Sequence, residues 1–203
     1  GLGNALGNLM TTFTNKTPMI VTAGQQTREM LLLEPWLTNV DPETAPKPWV
    51  KWSYEPRRPE DVPAAFMRAY ATAVQPPQGP VFLSLPLDDW AKPSLGPVPK
   101  RDIGRRIAPD PERIMDFATQ VSAAKNPVLV LGAAVDRANA WAEAVALAEK
   151  MKAPVWAAPV ADRAVFPETH PQYRGNLPFA IAPLCAALEG HDLVLVVGAP
   201  VFS

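Results

Sequence analysis

The side chains that could do chemistry in this chain are few. Two histidines, His170 and His191, one cysteine, Cys185, and the acidic pair Asp88-Asp89 that follows a strand are the candidates for acid–base, nucleophilic or metal work. The histidines stand far apart in sequence and have no partner at metal-ligand spacing, and His191 precedes an apolar run, so both are expected to be structural. Cys185 lies among Leu184, Ala186 and Leu188 on an apolar helix face, the setting of a buried inert thiol rather than a nucleophile. Two neighbouring carboxylates point in different directions and no third ligand is near, so Asp88-Asp89 reads as a cap or a linker contact. No catalytic residue and no metal ligand is assigned.

Three segments suggest ligand binding instead. Gly1-Leu2-Gly3-Asn4-Ala5-Leu6-Gly7 is glycine-rich, but its third glycine falls one place late for a dinucleotide fingerprint and no strand is read before it. Gln25 and Gln26 follow the end of a strand, a favoured ligand position in open α/β sheets, although a solvated or capping pair is an equal reading. Gly132-Ala133-Ala134 is a candidate phosphate turn that lacks a full glycine-rich loop. Arg105-Arg106 could pair with phosphate, with a solvated charge run as the default.

The elements that must position these residues follow from periodicity. Apolar residues at 2, 5, 6, 9, 10 and 13 have helical spacing. Residues 18–24 form a short apolar run ending in glycine, as a buried parallel strand does. Residues 25–33 could be a brief helix, 37–48 a loop and 49–54 a short strand. A helical stripe over 60–74 leads into a strand over 81–86. Residues 91–110 break this rhythm with prolines, glycines and cations, and read as an interdomain linker or an ordered loop. Beyond it come a helix over 111–124 with Asp110 as N-cap, a strand over 128–132, a helix over 138–151 and a strand over 155–158. An irregular stretch follows over 162–175, then a helix over 181–188 and a strand over 191–198. Strands alternating with helices predict an α/β fold, with parallel sheets carrying helices on both faces.

Bulk composition bounds the rest. Of 203 residues, 48% are apolar, which excludes a disordered chain, and a formal net charge of -1 excludes the basic footprint of nucleic-acid or anionic-membrane binding. A single cysteine fits a reducing cytoplasm. No apolar run approaches a bilayer span and no leader pattern opens the chain, so a soluble cytoplasmic protein is expected. Both ends look cut. The tryptophans at 36, 49 and 52 near Tyr54 could form a patch that an intact protein buries.

Several runs resemble the thiamine-diphosphate-dependent 2-oxo-acid decarboxylases. Gly79-Pro80-Val81-Phe82-Leu83-Ser84-Leu85-Pro86-Leu87-Asp88-Asp89, with Thr22-Ala23-Gly24-Gln25-Gln26 and Gly1-Leu2-Gly3-Asn4-Ala5, is similar to that family's pyrimidine-binding domain. Asn126-Pro127-Val128-Leu129-Val130-Leu131-Gly132 and Asp192-Leu193-Val194-Leu195-Val196-Val197-Gly198 are similar to its Rossmann-like middle domain. A narrower likeness, to members acting on an aromatic 2-oxo acid, is carried by Leu37-Thr38-Asn39-Val40-Asp41, by Lys51-Trp52-Ser53-Tyr54-Glu55-Pro56 and by the run from Glu189 to Phe202.

The resemblance implies a partial pyrimidine-binding domain over 1–90, a linker over 91–110 and an incomplete middle domain over 111–203. It implies a parent enzyme that decarboxylates an aromatic 2-oxo acid with thiamine diphosphate and magnesium, as a homo-oligomer, dimer or tetramer. Gly3, Asn4 and Gln25 would be its cofactor-side residues here. The family's proton-relay glutamate would precede Gly1, and no Gly-Asp pair of its metal-binding segment is present. The chain by itself is therefore expected to bind no cofactor and to be inactive. Acetolactate synthase-like and oxalyl-CoA decarboxylase-like enzymes are the near alternatives, and a nucleotide-binding or purely structural middle-domain module the distant one.

Overall fold

A computed structural model describes residues 1–98, 100–104, 106 and 108–201. The chain divides into two compact units, Gly1–Ile107 and Ala108–Ser203, each built on its own parallel sheet.

In the first unit the elements are α1 (Leu2–Thr14), β1 (Met19–Gln25), α2 (Arg28–Leu31), β2 (Ser53–Tyr54), α3 (Val62–Val74) and β3 (Pro80–Pro86). The sheet order is β1-β3-β2, with Met19 opposite Pro80 and Gln25 opposite Pro86. β3 is central and buried at every position, which is why it reads as a continuous apolar run. Strand alternation divides its side chains between two layers. Val81, Leu83 and Leu85 meet the alanine stripe Ala65, Ala69 and Ala73 of α3. Phe82 faces the other way, toward Leu9, Leu6 and Leu2 of α1. The four-residue spacing of the alanines keeps them on one helix face, and their small size lets the helix lie close to the sheet.

The second unit contains α4 (Pro111–Ala123), β4 (Pro127–Leu131), α5 (Ala134–Arg137), α6 (Trp141–Met151), β5 (Val155–Ala157), β6 (Tyr173–Asn176), α7 (Ile181–Leu188) and β7 (Leu193–Val197). All pairs are parallel in the order β6-β5-β4-β7. From β4 the chain moves outward to β5 and β6, then returns to set β7 on the opposite side. That reversal makes a switch point between β4 and β7, where such sheets usually open a crevice. α6 covers one face through Ala144 and Ala148 against Leu129, Leu131 and Val155. On the other face Ala187 and Leu188 of α7 join Val130, Val194 and Val196. The α/β fold class expected from the sequence, with helices on both sheet faces, is the one observed.

Asp110 caps α4 as its position implied: its Oδ1 accepts the Glu112 N–H at 3.0 Å, with Pro111 in the first turn. Other expectations need correction. β1 runs through Gln25, so the brief helix is only Arg28–Leu31. The strand expected over 49–54 shrinks to Ser53–Tyr54. The helix expected over 138–151 begins at Trp141, because Asn139 takes a positive φ of 56° and breaks it from α5. The irregular stretch ends in an edge strand, β6. Cys185 is exposed rather than buried; its neighbour Leu184 is the residue that α7 turns inward.

Candidate functional site

A candidate site lies at the C-terminal edge of the first sheet. There the strand end Thr22-Ala23-Gly24, the start of α1 (Gly1, Leu2, Ala5) and the loop residues Leu37 and Asn39 enclose a cavity of ≈ 430 Å³. Its walls are made of small and apolar groups because a strand end without long side chains faces a helix that begins on glycine. A Cβ added to Gly1, Gly3 or Gly24 would meet nothing within 4 Å.

Gln25 holds one wall in place. The side chain is buried, with 5% of the residue exposed. Its Nε2 donates to the Asn39 carbonyl at 2.8 Å, and its Oε1 accepts the N–H groups of Asn39 and Gln26, both at 3.0 Å. Asn39 Nδ2 in turn donates to the Gly24 carbonyl at 3.0 Å, and Gln26 Nε2 to the Trp36 carbonyl at 3.0 Å. The loop is thus fastened to the strand end by side-chain amides that stand in for a missing ladder partner. Leu37 sits in it at a positive φ of 72°, a costly conformation for a γ-branched residue that the surrounding bonds must enforce. Of the residues singled out in the sequence, Gly3 and Asn4 lie exposed in the first turn of α1 beside Gly1 and Leu2. Gln25 lies behind the cavity wall. Leu37 and Asn39 were not singled out as site residues; the sequence sign was the run Leu37-Thr38-Asn39-Val40-Asp41, which carried the narrower family likeness.

Asp88 and Asp89 serve Arg28, at the start of α2. Arg28 Nη1 reaches Asp88 at 2.8 Å and Asp89 at 2.6 Å, and Nη2 reaches Asp89 at 3.1 Å and the Pro56 carbonyl at 2.8 Å. The Arg28 N–H also donates to Asp88 at 3.2 Å. The hydrogen bonds that Arg28 donates to Asp89 raise its pKa further above its ordinary value, against the opposing effect of burial. For Asp88 burial favours the protonated form, but the bonds from Arg28 outweigh it and hold the carboxyl below its usual range. This fork ties the segments following β1, β2 and β3 together at the same sheet edge. Beside it Ser84 donates to Glu55 at 2.5 Å, both residues being buried.

In the second unit the switch point is filled by the chain itself. The Gly132 N–H donates to the Val197 carbonyl at 2.9 Å, and the Ala134 N–H to the Gly198 carbonyl at 3.2 Å. The amide a phosphate would use at the start of α5 is thus already paired, against the phosphate-turn reading of Gly132-Ala133-Ala134. His170 packs edge-on to Phe166 and lies 3.5 Å from Glu149. The His191 ring faces the Asn126 carbonyl at 3.0 Å. Arg105, of the Arg105-Arg106 pair, lies outside the described residues, as do Phe202 and Ser203. Among the described residues no group of three or more His, Cys, Asp or Glu side chains is arranged to hold a metal, and no helix is long and apolar enough to cross a membrane.

Residues 114–203 match the thiamine pyrophosphate enzyme central domain. The chain is 48% identical over its whole length to benzoylformate decarboxylase of Pseudomonas aeruginosa, of which it covers 39%. The crystal structure of benzoylformate decarboxylase from Polynucleobacter necessarius matches 98% of the chain at 58% identity and a TM-score of 0.95, over 38% of that protein. A thiamine diphosphate-dependent 4-hydroxybenzoylformate decarboxylase from Rhodococcus jostii matches at 48% identity and a TM-score of 0.93, again over 98% of this chain and 38% of that one. The chain therefore spans about two fifths of the length of these relatives. Residues 114–203 thus correspond to a thiamine pyrophosphate enzyme central domain, and the chain as a whole is similar in sequence and fold to part of these decarboxylases.

Proposed function

We propose that this chain is part of an enzyme that decarboxylates an aromatic 2-oxo acid without oxidation, using thiamine diphosphate and magnesium. The observation that carries the reading is the ≈ 430 Å³ cavity at the end of β1, in a chain 48% identical throughout to a benzoylformate decarboxylase. Its first unit would be part of the pyrimidine-binding domain, and residues 91–110 the linker to the middle domain.

The cavity suits the flat ring end of the cofactor: its walls are small, and the residues with open space at Cβ are glycines. The diphosphate end has no such match among the described residues, which offer no carboxylate cluster for a metal. Bound thiamine diphosphate supplies an electron sink for the pair released as carbon dioxide leaves. Gly3 and Asn4 would stand at the cofactor's side on the first turn of α1. Gln25 would act as a positioning residue, keeping Leu37 and Asn39 where they close the wall. Arg28, Asp88 and Asp89 would keep the sheet edge rigid around them. The exposed apolar side chains Leu32, Leu33, Trp36 and Val40 on this loop support a homo-oligomer in which a second subunit covers them. A cytoplasmic location fits the single cysteine, Cys185.

The test is a coupled assay for benzaldehyde released from benzoylformate, on a protein carrying this segment within the full length of its relatives, with cofactor and magnesium added. Turnover that needs both additions is expected. A full-length protein that turns over pyruvate to acetolactate and leaves benzoylformate untouched overturns the reading. Calorimetry of the isolated chain with thiamine diphosphate and magnesium is expected to show no saturable heat.

A further inference from the structure

We propose that Glu55 is a positioning residue for the cavity at the end of β1. Its carboxyl is fixed to the sheet through Ser84, and its backbone N–H holds, through Glu43, the loop that carries the wall residues Leu37 and Asn39. The inference rests on the reading of that cavity as a cofactor site and adds to it residues that do not line it. The polar residues buried among the described ones are Gln25, Ser53, Glu55 and Ser84, and all four lie on the strands of the first sheet or directly after them. A buried carboxyl is costly unless it is hydrogen-bonded, and an apolar pair of the same shape would fill this space at least as stably.

The ladder between β2 and β3 ends where Tyr54 stands opposite Leu83. Just past it Ser84 donates to Glu55 Oε2 at 2.5 Å, a side-chain rung that extends the attachment of β2 beyond its last backbone pair. Ser84 is also the register partner of Ala23, which lines the cavity. By strand alternation Ser84 shares the face of Phe82, where Leu2 of α1 packs, and Leu2 is another lining residue. On its other side the Glu55 N–H donates to Glu43 Oε1 at 3.2 Å, and Arg57 Nη2 reaches the same oxygen at 3.2 Å. Glu43 belongs to the connection over residues 32–52, which has no helix or strand of its own; connections so long inside a compact domain are commonly functional. Leu37 and Asp41 within it take positive φ values of 72° and 49°, conformations that surrounding bonds must enforce. Gln25 supplies such bonds at Asn39, and the Glu55 N–H supplies one at Glu43. The strained span is thus pinned at Asn39 and at Glu43. The second pin is only as firm as Glu55, which Ser84 ties to the central strand.

The test separates this role from plain stability. Glu43→Ala removes a partly exposed pin and is expected to leave the thermal midpoint of the chain nearly unchanged. It should nonetheless speed amide exchange at Asn39 about fivefold, the scale of one hydrogen bond, although Gln25 still holds that N–H. Glu43→Gln keeps the accepting oxygen and should restore the slower rate. Ser84→Ala should speed Asn39 exchange as well, since Glu55 then loses its tie to β3. In a full-length protein carrying this segment, Glu43→Ala is expected to weaken thiamine diphosphate binding about fivefold, read by calorimetry with magnesium present, while turnover at saturating cofactor changes less than about twofold. Unchanged Asn39 exchange in either alanine variant, or equal exchange in Glu43→Ala and Glu43→Gln, overturns the positioning role. Faster exchange with an unchanged cofactor affinity overturns it too, because the tie is then structural alone. An unaltered full-length protein that binds no cofactor overturns the reading of the cavity itself, and the inference with it.

Discussion

Gly132 and Ala199 pack so closely that a Cβ on Gly132 would stand 2.2 Å from the Ala199 Cβ and 2.4 Å from the Gly198 carbonyl oxygen. The strand ends of β4 and β7 are thereby sealed at the switch point, where related sheet architectures usually hold a ligand. Two of the three nearest atoms are backbone, which cannot rotate away as a flexible side chain would. Gly132→Ala is therefore expected to destabilise the second unit by about 1–3 kcal/mol or more, the range of core overpacking. Urea unfolding should show a lower midpoint at an unchanged m-value. With the crevice filled, titration with ADP is expected to give no saturable heat.

The fastening of the cavity wall is tested at Gln25. Replacing it by Leu keeps the bulk but removes the side-chain partners of the part-buried N–H and carbonyl of Asn39. The loop is expected to open locally at a cost of about 0.5–1.5 kcal/mol, the net worth of a hydrogen bond whose partners water can replace. Amide exchange at Asn39 reads this directly. Gln26→Ala loses a single exposed bond to Trp36 and is expected to leave Asn39 exchange nearly unchanged.

Asp192 provides a pH test in the second unit. Its carboxylate accepts the N–H of Lys125 at 2.6 Å and of Asn126 at 2.9 Å, and these bonds, Lys125 first, lower its pKa below the ordinary 3.8. A depressed folded pKa means that the unfolded chain binds the proton first as pH falls. The stability from Asp192 is thus fully present above the ordinary carboxylate value and is lost as pH drops through the folded one. Asp192→Asn replaces an acceptor by an NH₂ facing an N–H. It is expected to lower stability at neutral pH and to flatten the acid limb, as followed by circular dichroism from neutral to strongly acid pH.

Much of this architecture is legible in the residues. β3 declares itself because burial on both faces demands an unbroken apolar run, and α4 because Asp110-Pro111 is a cap followed by a pre-set first turn. β6 does not, since Tyr-Arg-Gly-Asn at a sheet edge carries no alternation. The break between α5 and α6 is hidden because Asn139 sits in an alanine-rich stretch whose composition favours helix throughout. Cys185 was misplaced because α7 is apolar all round, so periodicity alone does not say which side turns inward. At the cavity, the strand end and the helix start could be read, and so could the position of Gln25. Its partner could not: Asn39 is fourteen residues away across an aperiodic loop, and only the fold brings the two amides together.

The end of α6 offers a stabilising change. Lys152 takes a left-handed conformation, φ 51° and ψ 32°, while its N–H meets the Glu149 carbonyl at 3.1 Å and the Ala153 N–H meets the Ala148 carbonyl at 3.2 Å. This is the helix-ending geometry that glycine favours, because a Cβ crowds the following carbonyl there. Gln172 reinforces it by donating to the carbonyls of Ala148 and Ala153, both at 2.8 Å. Lys152→Gly removes the Cβ penalty but adds chain entropy to the unfolded state, so a net gain of about 0.5–1 kcal/mol is expected. Gln172→Ala should act oppositely, costing about 1 kcal/mol as the Ala153 carbonyl loses its side-chain donor while the Ala148 carbonyl keeps the Ala153 N–H. Thermal midpoints of the two single variants and their combination check the pair. If the helix end is one cooperative unit, the glycine should recover less in the Gln172→Ala background than in the unaltered chain, because the frayed end no longer holds residue 152 in the left-handed region.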